Sequence, residues 1–183
     1  MDVYNVPGAE MMGENVKALL KKVGDGVSLM PLAKIANAHV VELDDFCRVR
    51  DFVFIWGGQG VKIGKHCDIQ PHVVVWGGGV LEIGDRVSVG PGSVLLTAVY
   101  SHAEGLKMVD GLGDGSAKAL YGKLTIGSDV YIGANCSLMP DITVGEGAIL
   151  GAGSFLNKDC EPWGIYAGSP AKKIGERPRP DVA

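Results

Sequence analysis

No stretch of this chain approaches the run of about 18 apolar residues that a membrane-spanning helix needs. Its opening residues, MDVYNVPGAE, lack the basic-then-apolar form of a secretory signal, so a cytoplasmic protein is expected. Positive charge is not in surplus either. Seventeen Lys and Arg stand against 21 Asp and Glu, a formal net charge of −4, and no basic stripe is offered to a nucleic-acid backbone. Cysteine is scarce: Cys47, Cys67, Cys136 and Cys160 are the whole set, with no CxxC spacing to suggest zinc. An extracellular disulfide pair is one reading of them. Their phase in the repeat described next favours buried free thiols acting as small hydrophobes. What the chain does have is glycine, 28 residues of 183, and the glycines are periodic.

The period is clearest from Leu124 to Cys160. Ile126, Ile132, Leu138, Val144, Leu150 and Leu156 follow one another at intervals of six, and four of them precede a Gly. Four residues after each comes a small or aliphatic residue: Val130, Cys136, Ile142, Ala148, Ser154 and Cys160. A helix repeats every 3.6 residues and a strand every 2, so neither alone gives six. A short strand with inward side chains followed by a tight corner does, which is the hexapeptide pattern of a parallel β-helix.

Upstream the clock changes to twenty. Val23, Leu43, Ile63 and Ile83 form one such series; Leu29, Val49, Ile69 and Val89 another; Ile35, Ile55, Val75 and Leu95 a third. Each twenty divides as six, six and eight, and the extra two residues always fall at the third corner of a triangular coil. Trp56 and Trp76 recur at that corner and should stack, as a binding surface, a plain ladder or a subunit contact. After Leu95 the same corner is interrupted by residues 97–123, which hold Tyr100, His102, Glu104, Lys107 and Tyr121 around a Gly-rich middle. A long insertion in a regular solenoid that is not low-complexity is the place to look for chemistry, with subunit packing as the plainer reading. Residues 9–22 carry Met12, Val16, Leu19 and Leu20 at helical spacing and read as a helical cap on the open end of the solenoid. Pro162, Pro170, Pro178 and Pro180 exclude a continuing ladder after Cys160, so the tail should be a second cap lying across the last coil. The expected domains are a cap at 1–22, a β-helix at 23–160 with its loop at 97–123, and a capping tail at 161–183.

The hexads, the His-bearing loop before Leu124, and the exit from Gly151-Ala152-Gly153-Ser154 through Ala167-Gly168-Ser169-Pro170-Ala171-Lys172 together resemble the hexapeptide-repeat acyltransferases. Pro162-Trp163-Gly164-Ile165-Tyr166-Ala167-Gly168 and Asp44-Asp45-Phe46-Cys47 look most like members that acetylate amino sugars on nucleotide carriers; galactoside and maltose O-acetyltransferases are similar too. The resemblance implies an all-β fold, a left-handed parallel β-helix. It also implies a homotrimer with acetyl-CoA between subunits, and a role in surface-polysaccharide synthesis.

The same resemblance makes the loop histidine, His102, the general base, a task its unperturbed pKa suits. An amine acceptor depends less on a base, in which case His102 would bind the acceptor instead. Tyr100 and Glu104 flank it as acceptor-side candidates; Glu104 is either an orienting carboxylate or a solvated one. His72, at a corner, stands where similar enzymes place a polar residue against the acceptor, or is an ordinary corner residue. For acetyl-CoA the resemblance points to Gly133, Ala134, Gly151 and Ala152 along the pantetheine arm, and to Asn157, Lys158 and Lys172, a lysine being a plausible phosphate partner. Gly175 and Tyr131 depart from the pattern, where some relatives carry a second basic residue and a Trp. No metal is expected: a zinc enzyme on this solenoid would need two His close together on one loop, and residues 97–123 hold one. A non-enzymatic scaffold would have no use for that loop or that exit. O-acetylation of a sugar hydroxyl is the alternative reaction.

Overall fold

A computed structural model describes residues 11–103, 105–109 and 113–180. Strands of two to four residues alternate with tight corners, and the chain winds through three parallel sheets in turn. The first sheet stacks Lys22–Val23, Val41–Leu43, Gly60–Ile63, Val80–Ile83, Lys123–Ile126 and Ile142–Val144. The second begins with Ser28–Leu29 and runs through Arg48–Val49, Asp68–Ile69, Ser88–Val89, Tyr131–Ile132 and Ile149–Leu150. The third stacks Lys34–Ala36, Phe54–Trp56, Val74–Trp76, Val94–Leu96, Ser137–Leu138 and Phe155–Leu156.

Alternation within these short strands turns the periodic residues inward, with Val41, Val61, Leu81, Leu124 and Ile142 as second inward residues of the first sheet; Val23, at the open end of that sheet, is the exception at 37% exposed. Leu43, Ile63 and Ile126 line the first sheet, Ile69 and Ile132 the second, Ile35, Ile55, Leu95 and Leu138 the third, all fully buried. Each such side chain contributes about 1.5–3 kcal/mol by leaving water. The four cysteines are free and buried at the small inward positions. Contact with Cys47 and burial both push the Cys67 thiol upward, and burial pushes Cys160 up to about 12, so neither is a thiolate near neutral pH.

The corners need left-handed backbone, and many are not glycine. Phe46, His66, Arg86 and Asp129 form one column with φ between 57° and 60°; Phe52 and His72, both at 63°, and Asn135 at 56° belong to another. A non-Gly residue there costs roughly 1–2 kcal/mol, and contacts between successive coils offset it. Phe46 stacks on His66 at 5.0 Å, Phe52 on His72 at 4.9 Å, and Arg86 donates two hydrogen bonds of 2.7 Å to the Asp129 carboxylate.

Both ends depart from expectation. The N-terminal cap is a 3-10 helix, Gly13–Leu19, not an α-helix. At three residues per turn Met12 and Val16 no longer share a face; Val16 is fully buried while Leu19 is 45% exposed. The cap still covers the open edge: the Glu14 carboxylate accepts the Leu29 N–H at 2.9 Å, and Gly13 N–H bonds the Ala33 carbonyl at 2.8 Å. At the other end the prolines do not stop the ladder. Gly164–Gly168 adds a further parallel strand to the second sheet, pairing Ile165 with Ile149 and Tyr166 with Leu150. Ala171–Glu176 then folds back antiparallel on it. Pro162 and Pro170 fall just outside the pairing strand, where no ladder N–H is needed.

Candidate active site

The inserted segment is a hairpin in its proximal half. Ala98–Tyr100 pairs antiparallel with Ala119–Tyr121, and Ser101 N–H reaches the Lys118 carbonyl at 2.8 Å. Thr97 roots it. Its hydroxyl accepts the Gly79 N–H at 3.0 Å and donates to the Trp76 carbonyl at 3.3 Å, while its carbonyl accepts the Gly122 N–H at 2.8 Å. The chain therefore leaves and re-enters the solenoid in register, with Leu95 beside Leu138 and Leu81 beside Leu124. Thr97 is buried and was not marked by the repeat, because it sits outside the hexad phase.

Between the hairpin and the third corner lies a cleft of about 730 Å³ lined by Asn37, Trp56, Gln59, Trp76, Tyr100 and Tyr121, with Gly58, Gly77 and Gly78 as its floor. Trp56 and Trp76 do occupy successive coils, but they do not stack flat: their centroids are 5.9 Å apart and their planes 49° from parallel. His102 follows at the exposed end of the hairpin, with no partner among the described residues. Glu104 lies outside the described residues.

The glycines expected to face the cofactor form a stack at the corner between the second and third sheets. A Cβ on Gly133 would come within 2.5 Å of the Ala152 nitrogen, and one on Gly151 within 3.2 Å of the Ala167 Cβ. At Gly133 only glycine allows so close an approach, while at Gly151 a Cβ would fit tightly. Buried serines fasten the stack. Ser93 Oγ donates to the Gly133 carbonyl at 2.9 Å, and Ser154 Oγ donates to the Gly151 carbonyl at 2.6 Å while accepting the Gly168 N–H at 3.2 Å. Lys172 pairs in register with Ala167 and so joins this edge. Its neighbour Lys173 is held by Glu161 at 2.7 Å and Glu176 at 3.0 Å, which raise its pKa; Lys172 carries no such partner among the described residues. No group of three or more His, Cys, Asp or Glu side chains able to hold a metal forms among the described residues.

The dTDP-4-amino-4,6-dideoxy-D-glucose acyltransferase of Escherichia coli is 30% identical over 183 aligned residues, which cover 93% of this chain and 83% of that protein. The chain belongs to the hexapeptide-repeat acyltransferase family. The family described as bacterial transferase hexapeptide (six repeats) matches residues 123–158. AntD, an N-acyltransferase from Bacillus cereus solved with dTDP and 3-hydroxybutyryl-CoA, superposes with a TM-score of 0.83 at 27% identity, covering 91% of this chain and 88% of that one. The fold is thus the left-handed β-helix of these enzymes. A chloramphenicol acetyltransferase from Klebsiella aerogenes is 48% identical, but over 56 residues, 31% of this chain and 27% of its own length.

Within this hexapeptide-repeat acyltransferase the expected residues divide between two corners. Tyr100 and His102 belong to the hairpin corner. Gly133, Ala134, Gly151, Ala152 and Lys172 share the corner between the second and third sheets, and His72 lies lower on that same corner, on the coil of Ile69. Asn157 and Lys158 follow the third-sheet strand Phe155–Leu156 and sit exposed on the hairpin side, away from the glycine stack. One protomer therefore does not bring His72 to His102. The ring of His72 lies flat on Phe52, the stacking role of a corner residue.

Proposed function

We propose that this protein transfers an acyl group from acyl-CoA, acetyl-CoA first among them, to the amino group of a nucleotide-linked amino sugar, in the synthesis of a surface polysaccharide. The likeness to an amino-sugar acyltransferase over 93% of this chain and 83% of that protein carries this reading. The neutral amine attacks the thioester carbonyl, a C–N bond forms, and collapse of the tetrahedral species breaks the C–S bond. His102 takes the proton the nitrogen loses and returns it to the departing thiolate, giving amide and free CoA. Lys172 holds a CoA phosphate beside the Gly133 and Gly151 edge, where backbone groups meet the pantetheine arm. A homotrimer completes the site, since His102 and the glycine stack lie on different corners of one chain.

Thiol release from acetyl-CoA, measured against nucleotide amino sugars and free glycosides, tests the reading. Turnover with the nucleotide amino sugars is the expected result. Turnover only with hydroxyl acceptors, or none with either class, contradicts it.

A further inference from the structure

The aromatic cleft is not used by the chemistry above. It has three properties that together select a ligand. First, among its described lining residues there is no charged side chain: the walls are Trp56, Trp76, Tyr100 and Tyr121, and the polar groups are Asn37 and Gln59. A diphosphate would find no countercharge here. Second, the ring faces are open. Trp56 is 40% exposed, Trp76 53% and Tyr121 58%, and the two indoles splay rather than cover each other. Third, the floor is a residue that any side chain would fill. A Cβ on Gly78 would lie 3.2 Å from Tyr121 Cε1 and 3.6 Å from Trp56 Nε1, so the two rings flank one glycine. Glycine at such a point permits close approach of a ligand.

The polar groups narrow the choice further. One N–H of the Asn37 side chain donates to the Gly58 carbonyl at 2.9 Å. Gln59 has no side-chain partner among the described residues and can both donate and accept. A hexose presents several hydroxyls that would each need a fixed partner. A pyrimidine base needs two faces to stack on and a donor–acceptor edge, which the open rings and Gln59 supply. The cleft also has the right reach. Asn37 lies on the coil of Ile35 and Tyr100 beyond that of Leu95, three strand spacings on, or about 14 Å. That length holds a base and its ribose and leaves the diphosphate beyond the uncharged walls.

We infer that the cleft of Trp56, Trp76, Tyr121 and Gln59 is the nucleobase subsite of the acceptor, taking a pyrimidine nucleoside by stacking and leaving its phosphates outside. This rests on the proposed function for the identity of the whole acceptor, but binding of the base is separable from turnover. The test titrates thymidine and dTDP against the full chain and follows tryptophan fluorescence, with Trp163, the remaining tryptophan, as the internal control. Both ligands should quench saturably. Trp76→Ala, and independently Tyr121→Ala, should weaken thymidine binding about tenfold, the scale of one stacked base. They should raise KM for a nucleotide amino sugar by a similar factor, more than they lower kcat. Absence of quenching by thymidine overturns the inference, as would result if the cleft held the acyl chain or a second copy of the chain. So does unchanged affinity in both folded variants. Quenching that the variants abolish, in a protein that acylates no amino sugar, keeps the nucleobase subsite and removes the proposed reaction instead.

Discussion

Ser93 Oγ donates to the Gly133 carbonyl at 2.9 Å and accepts the Cys136 N–H at 3.1 Å, joining the last coil before the insertion to the first coil after it. Both groups are buried, so the bond has no water to replace it. Ser93→Ala leaves two backbone groups unsatisfied in the core and should lower stability by about 1–3 kcal/mol. Urea unfolding checks this; a loss below a few tenths would mean that the coils hold register without the bridge.

The hairpin separates into a root that the solenoid needs and an outer part that it does not. Thr97, Ala98–Tyr100 and Ala119–Tyr121 bond the coil and wall the cleft. Replacing residues 103–116 by a short Gly-Ser turn should therefore keep the melting temperature within a few degrees and abolish turnover, since His102 loses its setting. Unfolding of the shortened protein would make the outer loop structural.

His102→Ala should lower kcat with an amine acceptor by about 10²-fold or more, the lower end of general-base contributions. A near-normal kcat would take the base role from this residue.

Much of the fold was legible because a six-residue clock leaves few architectures open. Ile126 through Leu156 fixed which side chains point inward, and the Gly57–Gly60 and Gly77–Gly79 corners announced where the coil would open. Proline misled at the tail: Pro162 and Pro170 lie at the strand's flanks, and a pattern of residue types does not reveal which N–H groups a ladder uses. Helical spacing misled at Met12, Val16 and Leu19, since period alone does not separate 3-10 from α over seven residues. The insertion that carries His102 and Tyr100 was visible as a break in the repeat. The cleft was not, because it joins Asn37 to Tyr121 across four coils, and only the corner geometry brings them together.

Lys172 and Lys173 should behave differently. Lys173 is committed to Glu161 and Glu176, so Lys173→Ala should leave KM for acetyl-CoA within about twofold. Lys172→Ala should raise it about tenfold, the cost of one exposed phosphate contact. Equal effects of the two substitutions would remove Lys172 from the phosphate site.

The Arg86–Asp129 pair gives the solenoid an acid-labile bond. The hydrogen bonds from Arg86 hold the Asp129 carboxyl below its usual value. A depressed carboxyl contributes stability above its unfolded pKa and loses it as pH falls through the folded one. The pair is largely exposed, so the contribution should stay below about 1 kcal/mol. Asp129→Asn keeps a residue suited to left-handed backbone. The gap between wild type and this variant in urea midpoint should be present at pH 7 and close below pH 4. A gap that persists in acid would assign it to packing rather than charge.

The most direct measurement of the transfer is the mass of a dTDP-linked amino sugar after incubation with the protein and acetyl-CoA, taken before and after mild hydroxylamine. An amide survives that treatment and an ester does not. The expected result is one added acetyl group that hydroxylamine leaves in place, and no addition without protein. An acetyl group released by hydroxylamine, or an unmodified sugar beside intact acetyl-CoA, would contradict it.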